Sequence, residues 1–565
     1  MRMLYAGLLL AGAAVAQQSD AVLDALKAEM ARTLTLSLGQ LDKPYYVAYA
    51  VDDARVWTTT ATLGAIITSN ATSFRVPQVR LRVGDYKFDN SNFAGGGGGG
   101  ARYDLGAFPL EDDVTTIRRY FWLATDSAYK GALQTIARKR SALRSVTVNE
   151  QLPDFTRAPA FNLFRTRRPL MFDHAIWEAR VRKASAVFSA FPTLRTSLVE
   201  MTVIDATHRF VNSEGTQIRL PQELGSIQIR ASAQAADGMI VRDFQGLYAA
   251  EVSKMNSEAE LMAAAKLIGE NVVKIAAAPV GENYSGPVLF EGAAAPQLLA
   301  MVLGRNLHIA RKPVGGGAQT TATELEGRRG VRIMPDFFNV VDDPTAPYMG
   351  ATEADDEGTP TVKVSMIEKG ILKDFLRTRT PVRGYGDSNG HAMLPGLATP
   401  SNLIVTATEK TSLAEMKKKM MDLIQQRGME FGIVIRKLDL PSSAPLDEAR
   451  RQLAASGAAG SAQPIPIPLY VFKLFADGHE QMIRGVRLRG VNARSLKDIL
   501  LAGDDNVVFN YMENGAAYAL LSGGGNSTEV TVVSPSLLID DLELTKMDDE
   551  LPKLPIAPSP LSAGQ

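Results

Sequence analysis

The stretch Tyr284–Arg311, YSGPVLFEGAAAPQLLAMVLGRNLHIAR, constrains the fold more than any other part of the chain. Pro287-Val288-Leu289-Phe290 is a short apolar run that predicts a buried strand, and Leu298, Leu299, Val302 and Leu303 predict a helix running straight out of it. Hydrolases often place catalytic groups at such a junction. Here it reads Glu291-Gly292-Ala293-Ala294-Ala295-Pro296, which offers a single ionisable side chain.

The hydrophobic period changes several times before that point. Val22, Leu23, Leu26, Met30, Leu34 and Leu38 predict a helix over Ser19–Leu38. Tyr45–Asp52, Val56–Ser69 and Ser73–Tyr86 are rich in Val, Ile, Thr and Tyr, alternate as in Val79-Arg80-Leu81-Arg82-Val83, and read as antiparallel strands. Gly95–Gly100 is a glycine run that backbone entropy makes a loop, and no Lys-Ser/Thr pair follows it as a phosphate cradle requires. Ile117, Phe121, Ala124, Ala128, Ala132, Ile136 and Leu143 predict a long helix over Asp112–Val148, capped by Asp112 or Asp113. Lys130, Arg138, Lys139, Arg140 and Arg144 read as its solvated face. A helix over Asp173–Ala190 follows, then strands at Ser197–Asp205, Thr207–Ser213, Gln217–Arg219 and Gly225–Ala235, with a turn at Asn212-Ser213-Glu214-Gly215. Ser257-Glu258-Ala259-Glu260 is a capping box opening a helix to about Ile275.

Beyond the junction the chain is strand-rich. Ile367–Leu376 predicts a hairpin turning at Lys369-Gly370; Ser412-Leu413-Ala414-Glu415 caps a helix ending at Gly428, and Phe431–Leu438 is a strand. Residues 441–468, rich in Ala, Ser, Gly and Pro, read as an inserted loop with a helical turn near Asp447–Ala454. Leu469–Phe475 and Gln481–Leu488 read as a hairpin across Asp477-Gly478. The expected organisation is α+β: an N-terminal domain over 17–250, a linking helical segment over 251–283, a β-rich C-terminal domain over 284–547, and a proline-rich, disordered tail over 548–565.

Composition narrows the partners. Sixty-one basic and sixty-one acidic side chains cancel, so no electrostatic argument favours nucleic acid or an anionic membrane. Arg2, the apolar run Leu4–Val15 and the small residues Ala14 and Ala16 predict a secretory signal peptide over 1–16, cut after Ala16, and a secreted or periplasmic protein. No later apolar run reaches the roughly 18 residues of a membrane span. With no cysteine, disulfides, thiol nucleophiles and thiolate metal ligands are excluded.

Few side chains carry obvious chemistry. His174, His208, His308, His391 and His479 are nowhere within a helical turn of one another. His479-Glu480 opens like a zincin motif, but Ile483 and Arg484 occupy the positions where a second histidine would be needed, and a turn-flanking role is the expected one. His308 falls late in the predicted helix, where the dipole explains it. Asp387, Ser388, Asn389 and His391 lie in the glycine-rich loop Gly384–His391 and are the candidates for lining a groove. Asp342, Asp343, Glu353, Asp355, Asp356 and Glu357 are the densest acidic group; their spacing is unlike a calcium loop and predicts a turn before a strand from Thr361.

Several motifs in order give a more specific reading. Met334-Pro335-Asp336-Phe337-Phe338-Asn339-Val340-Val341-Asp342-Asp343-Pro344, Asp355-Asp356-Glu357-Gly358, Ile367-Glu368-Lys369-Gly370-Ile371-Leu372-Lys373, Ser388-Asn389-Gly390 and Ser534-Pro535-Ser536-Leu537-Leu538-Ile539-Asp540-Asp541-Leu542 resemble the TldD/PmbA family, the modulators of DNA gyrase, which comprises zinc metallopeptidases and their partner subunits. Arg82-Val83-Gly84-Asp85-Tyr86 and Asp89-Asn90 look like its secreted branch. The resemblance implies an H-E-x-x-x-H segment after the apolar strand and a C-terminal cysteine in active members. Aligned on Val288-Leu289-Phe290, this chain has Glu291 for the first histidine, Gly292 for the general-base glutamate and Pro296 for the second histidine, and the cysteine is absent. The resemblance therefore implies a catalytically silent subunit, with no zinc expected, that pairs with an active paralogue around a peptide groove. A hydrolase using His391 and the acidic residues, and a stand-alone peptide-binding scaffold of the cell envelope or homo-oligomer, are the alternatives.

Overall fold

The computed structural model describes residues 20–94, 108–144, 152–315, 323–394, 396–445, 447–448, 465–514, 527–547, 557 and 559–562. The expected signal peptide, the glycine run, and most of the 441–468 loop and the tail lie outside the described residues.

The first half is a sheet carrying four helices, antiparallel except where its shortest strand joins in parallel. In chain order these are α1 (Ala21–Thr33), β1 (Pro44–Thr62), β2 (Ala65–Val83), α2 (Val114–Leu143), β3 (Asn162–Phe164), α3 (His174–Ala186), β4 (Leu194–Asn212), β5 (Gln217–Gln234), β6 (Ile240–Ala249) and α4 (Glu258–Ala277). The strands run β2-β1-β4-β5-β3, with β6 also on β5. Alternation sorts β1 between two environments: Val47, Tyr49 and Val51 meet α1 and α2, while Tyr46, Ala48 and Ala50 meet Phe155, Phe210 and Ile218. Asp20, Asp113 and Asp173 accept the N3 amide of α1, α2 and α3, and the Ser257–Glu260 capping box opens α4 as its sequence predicts.

Three expectations need correction here. The β1–β2 turn lies at Leu63-Gly64, both at positive φ (49° and 84°), not at the polar breaks near 53–55 and 70–72. A leucine in that role carries no turn signal, and Asp53–Arg55 stay in the strand because β2 and β4 bond to both sides of it. The breaks expected inside β4 and β5 are likewise absent, each being one continuous strand. Lys139 is not on a solvated face. It is 2% exposed, and its Nζ donates to Asp89 O (3.0 Å), Ser91 O (2.7 Å) and Asp154 Oδ2 (2.5 Å), satisfying all three donors. Its position, three residues after Ile136, places it on the apolar stripe.

The second half is two sheets with a helix between them. Its elements are β7 (Tyr284–Phe290), α5 (Ala294–Val302), β8 (Phe338–Asp342), β9 (Val364–Glu368), β10 (Ile371–Leu372), β11 (Asn402–Ala407), α6 (Leu413–Gln426), β12 (Phe431–Leu438), β13 (Pro468–Phe475), β14 (Glu480–Ile483), β15 (Val486–Arg489), β16 (Ile499–Ala502), β17 (Val507–Glu513), β18 (Thr528–Ser534) and β19 (Leu537–Lys546). One sheet runs β10-β9-β8-β11-β18-β17; the other runs β14-β13-β12-β7-β19-β15, with β16 on β19. α5 contacts β12 of one and β17 and β18 of the other, and every one of its residues is buried. Its single long polar side chain, Gln297, is satisfied at both ends: Nε2 donates to Leu440 O (2.6 Å) and Oε1 accepts from Leu438 N (2.7 Å). β7 is covered on both faces, Val288 and Phe290 by the α5 side and Leu289 by the α6 side.

The Lys369-Gly370 turn is where its sequence places it, with φ of 48° and 71°. The Gln481–Leu488 strand is instead two, because Gly485 (φ 69°) turns the chain from β14, paired with β13, to β15, paired with β19. α5 also stops earlier than expected, so His308 lies beyond it, bridged to Leu376. The halves are joined by a buried ion pair and a hydrogen bond: Asp243 of β6 accepts from Lys437 Nζ and from Tyr470 Oη, both at 2.6 Å. Among the described residues no helix is long and apolar enough to cross a membrane.

Leu298 sits in the sheet–helix–sheet core at 1% exposure. Leu298→Ala is expected to lower stability by about 2–5 kcal/mol, read as a fall in the urea midpoint at unchanged slope. The half-exposed Leu267 of α4 is the control, with a change of about 0.5 kcal/mol or less on Leu267→Ala.

Candidate functional site

Glu291 leaves β7 with its amide still bonded to Ile435 O (3.0 Å), and Gly292, at φ 60°, turns the chain towards α5. Pro296 is the third residue of that helix, within the first turn, where its missing N–H costs no helical bond. Glu291 itself precedes the helix, so positions 291 and 296 do not share it.

The Glu291 carboxylate is already occupied. Arg436 Nε donates to its Oε1, and Lys417 Nζ lies 3.3 Å from Oε2, at ion-pair distance but without hydrogen-bond geometry. Glu480 closes a ring, accepting from Arg436 Nη2 at 2.7 Å and Lys417 Nζ at 2.9 Å. Burial pushes the Glu480 carboxyl up, but Lys417 and Arg436 outweigh it and hold it below the usual carboxylate range. The Arg436 guanidinium also lies 4.2 Å over the Phe472 ring.

A zinc ion needs three protein donors and a place free of competing cations. Glu291 faces two cations, and Gly292 and Pro296 have no donor side chain. Among the described residues no group of three His, Asp or Glu side chains is placed to hold a metal ion. These residues do not fit a zinc site.

The glycine-rich loop is a second, separate place. Asn389 Oδ1 accepts from Arg377 N (2.8 Å) and its Nδ2 donates to Phe375 O (2.9 Å); Ser388 Oγ donates to Arg377 O, and Asp387 O accepts from Arg377 Nε. The His391 ring is fully buried, between Asn389 O (Nδ1, 2.8 Å) and Asp342 Oδ1 (Nε2, 3.0 Å). Ser401 Oγ donates to the same carboxylate at 2.5 Å. Serine, histidine and aspartate thus meet, but with the carboxylate in the middle. The histidine is no base for this serine, and the trio lacks the order that activates a nucleophile.

The acidic residues divide among different partners. Asp343 pairs with Lys363 at 3.1 Å, and Glu353 with Arg165. Asp355 builds the expected turn, its carboxylate accepting from the amides of Glu357 (3.0 Å), Thr359 (2.8 Å) and Ala392 (3.1 Å). Burial, with Glu357 next in effect, nevertheless pushes Asp355 up to about 7. Asp356 and Glu357 face the N-terminal sheet. Arg80 Nη1 donates to Asp356 O (2.7 Å), and Glu357 Oε2 accepts from Arg379 N (2.7 Å). Arg379, 1% exposed, donates through Nη2 to Thr156 O (2.6 Å) and Glu214 Oε1 (2.7 Å) and stacks 4.1 Å over Phe155.

His208, which carries no motif, belongs to this seam. It sits opposite Asp52 across the β1–β4 ladder, with Nδ1 2.6 Å from Asp52 Oδ1. Burial lowers its pKa, but Asp52 and then Asp356 outweigh that and raise it overall. The pairing spans 156 positions, so only the register reveals it. His479 flanks its turn as read, bonded to Asp477 and stacked on Phe475.

Comparison with known proteins places this geometry. Residues 283–435 match the PmbA/TldA metallopeptidase C-terminal domain. The chain is 33% identical over 116 residues to a metalloprotease of Archaeoglobus fulgidus, covering 19% of this chain and 27% of that protein. It is 30% identical over 100 residues to a Methanocaldococcus jannaschii protein, covering 16% and 24%. The match thus spans about a quarter of either relative's length. Two solved structures share the fold. One is a Thermotoga maritima protein described as a modulator of a DNA gyrase, at TM-score 0.57 and 14% identity over 88% of this chain and 96% of that one. The other is TldE from Thermococcus kodakarensis, at TM-score 0.57 and 13% identity over 93% and 100%.

The raised Asp355 pKa fixes a sign. A carboxyl that titrates near 7 folded and near 3.8 unfolded adds stability below about pH 4 and loses it as pH rises through about 7. Glu357→Gln removes the like charge while keeping an oxygen for the Arg379 amide. It is expected to shrink the fall in Tm between about pH 4 and 7, measured by calorimetry; superimposable profiles would show that Glu357 does not set the Asp355 titration.

Proposed function

This chain is a member of the TldD/PmbA family, a metallopeptidase family, through residues 283–435, and from that premise we propose that it is an exported, catalytically silent subunit. It pairs with an active zinc-peptidase paralogue and helps to enclose a peptide groove. One observation carries the reading: the position that the family resemblance gives to the first zinc ligand is a glutamate locked between Arg436 and Lys417. Around it every residue of α5 is buried, and so is β7 apart from Ser285. A protein that kept the strand, the helix and both sheets, and of the donor groups only one carboxylate already paired with two cations, retains a shape rather than a reaction. The Asp342-centred arrangement of His391 and Ser401 speaks against a substitute nucleophile.

Export is part of the proposal, supported by Arg2, the Leu4–Val15 run and the Ala14-Val15-Ala16 cleavage pattern. An exported protein does not meet a gyrase, so that family label carries no role here.

The test is affinity purification of the chain from its native source, followed by mass spectrometry. The expected result is a co-purifying family member with an intact H-E-x-x-x-H segment, and peptide cleavage by the pair but not by this chain alone. Recovery only as a monomer or homo-oligomer would contradict the pairing, and cleavage by this chain alone would contradict its silence.

A further inference from the structure

α1 and α2 pack against each other, and between them lies an open cavity of about 260 Å³ lined by Glu29, Arg32, Thr115, Arg118, Arg119 and Trp122. Glu29 is 2% exposed; its Oε1 accepts from Arg32 Nε at 2.6 Å, and its Oε2 is 3.7 Å from Arg118 Nε. One carboxylate therefore serves two guanidinium groups. Arg119 is exposed and has no ion-pair partner among the described residues.

The lining carries three positive charges against one negative. Of the acids at the start of α2, Asp112 pairs with Arg75 (2.5 Å) outside the pocket lining, and Asp113 caps the helix through the Thr116 amide (2.7 Å). Thr115 is the second residue of that helix, so its N–H belongs to the first turn, where no intrahelical acceptor exists and the dipole favours negative charge. Trp122 is 46% exposed and forms an apolar, aromatic wall beside the guanidinium groups. Burying more of that ring is favourable, and a flat partner does so with the least entropy loss.

We propose that this pocket binds a carboxylate carried next to a flat ring, the chemistry shared by free aromatic acids and by a peptide's C-terminal aromatic residue. Arg119, with Arg118 beside it, takes the two carboxylate oxygens through its forked donors, and Trp122 takes the ring. An open cavity of about 260 Å³ is small for a ligand site and matches a one-ring acid or the end of a longer chain. The site rests on the N-terminal half alone and does not depend on the silence of the β7–α5 junction.

Calorimetric titration of the full chain tests it with four probes: N-acetyl-L-phenylalanine, its amide, acetate, and a pentapeptide with a free C-terminal phenylalanine. The acid is expected to bind, with the amide and acetate each weaker by about tenfold or more. Arg119→Ala and Trp122→Ala are each expected to cost a similar factor, and Trp122→Phe to retain binding; both side chains are exposed, and circular dichroism checks that the variants fold. Peptide affinity equal to that of the acid assigns the site to peptide ends, and a much weaker peptide assigns it to free acids; both uphold the site. Equal affinity for acid and amide, equal affinity for acid and acetate, or an Arg119→Ala titration like the unsubstituted chain would overturn the proposal.

Discussion

Everything in the C-terminal half depends on the burial of α5 on all sides. A helix between two sheets has no face on which to carry an unpaired polar group, because desolvating one costs several kilocalories per mole. The sequence answers with Ala294, Ala295, Leu298, Leu299, Met301 and Val302, and its lone amide, Gln297, is spent on the backbone of residues 438 and 440. The same constraint explains Glu291. Placed just ahead of that helix at 7% exposure, a carboxylate persists only with counter-charges, which Arg436 and Lys417 supply.

Buried charge elsewhere is used in the same way, to join elements. Asp243 with Lys437 and Arg379 with Glu214 tie parts of the chain distant in sequence, and Asp154 holds both Lys139 and Arg311. Removing one member of such a pair leaves the other uncompensated, which makes the seams sensitive to single substitutions. Histidines follow the pattern: His391 and His208 are bonded to Asp342 and Asp52 inside the protein, not aimed at a common open space.

Much of this was legible in advance wherever a local rule decides. The capping boxes at Ser257 and Ser412, the Lys369-Gly370 turn, the Phe431–Leu438 strand and the β7–α5 junction all announce themselves through side chains within a few residues. What stayed hidden is set by partners far along the chain. The Leu63-Gly64 turn follows from strands that β4 and β2 hold on either side of β1, and Lys139 needs Asp154 and two carbonyls to be buried. Residues 291, 292 and 296 could be read as keeping a single carboxylate, but not that Lys417 and Arg436 pair with it and Glu480 closes the ring.

The central claim is that ionic pairing, not a metal, satisfies the β7–α5 junction. Zinc retained per chain, measured by elemental analysis after zinc loading and exhaustive dialysis, tests it most directly. The account predicts no retained zinc, in the original chain and in Glu291→Ala alike. A stoichiometric zinc that Glu291→Ala abolishes would contradict it.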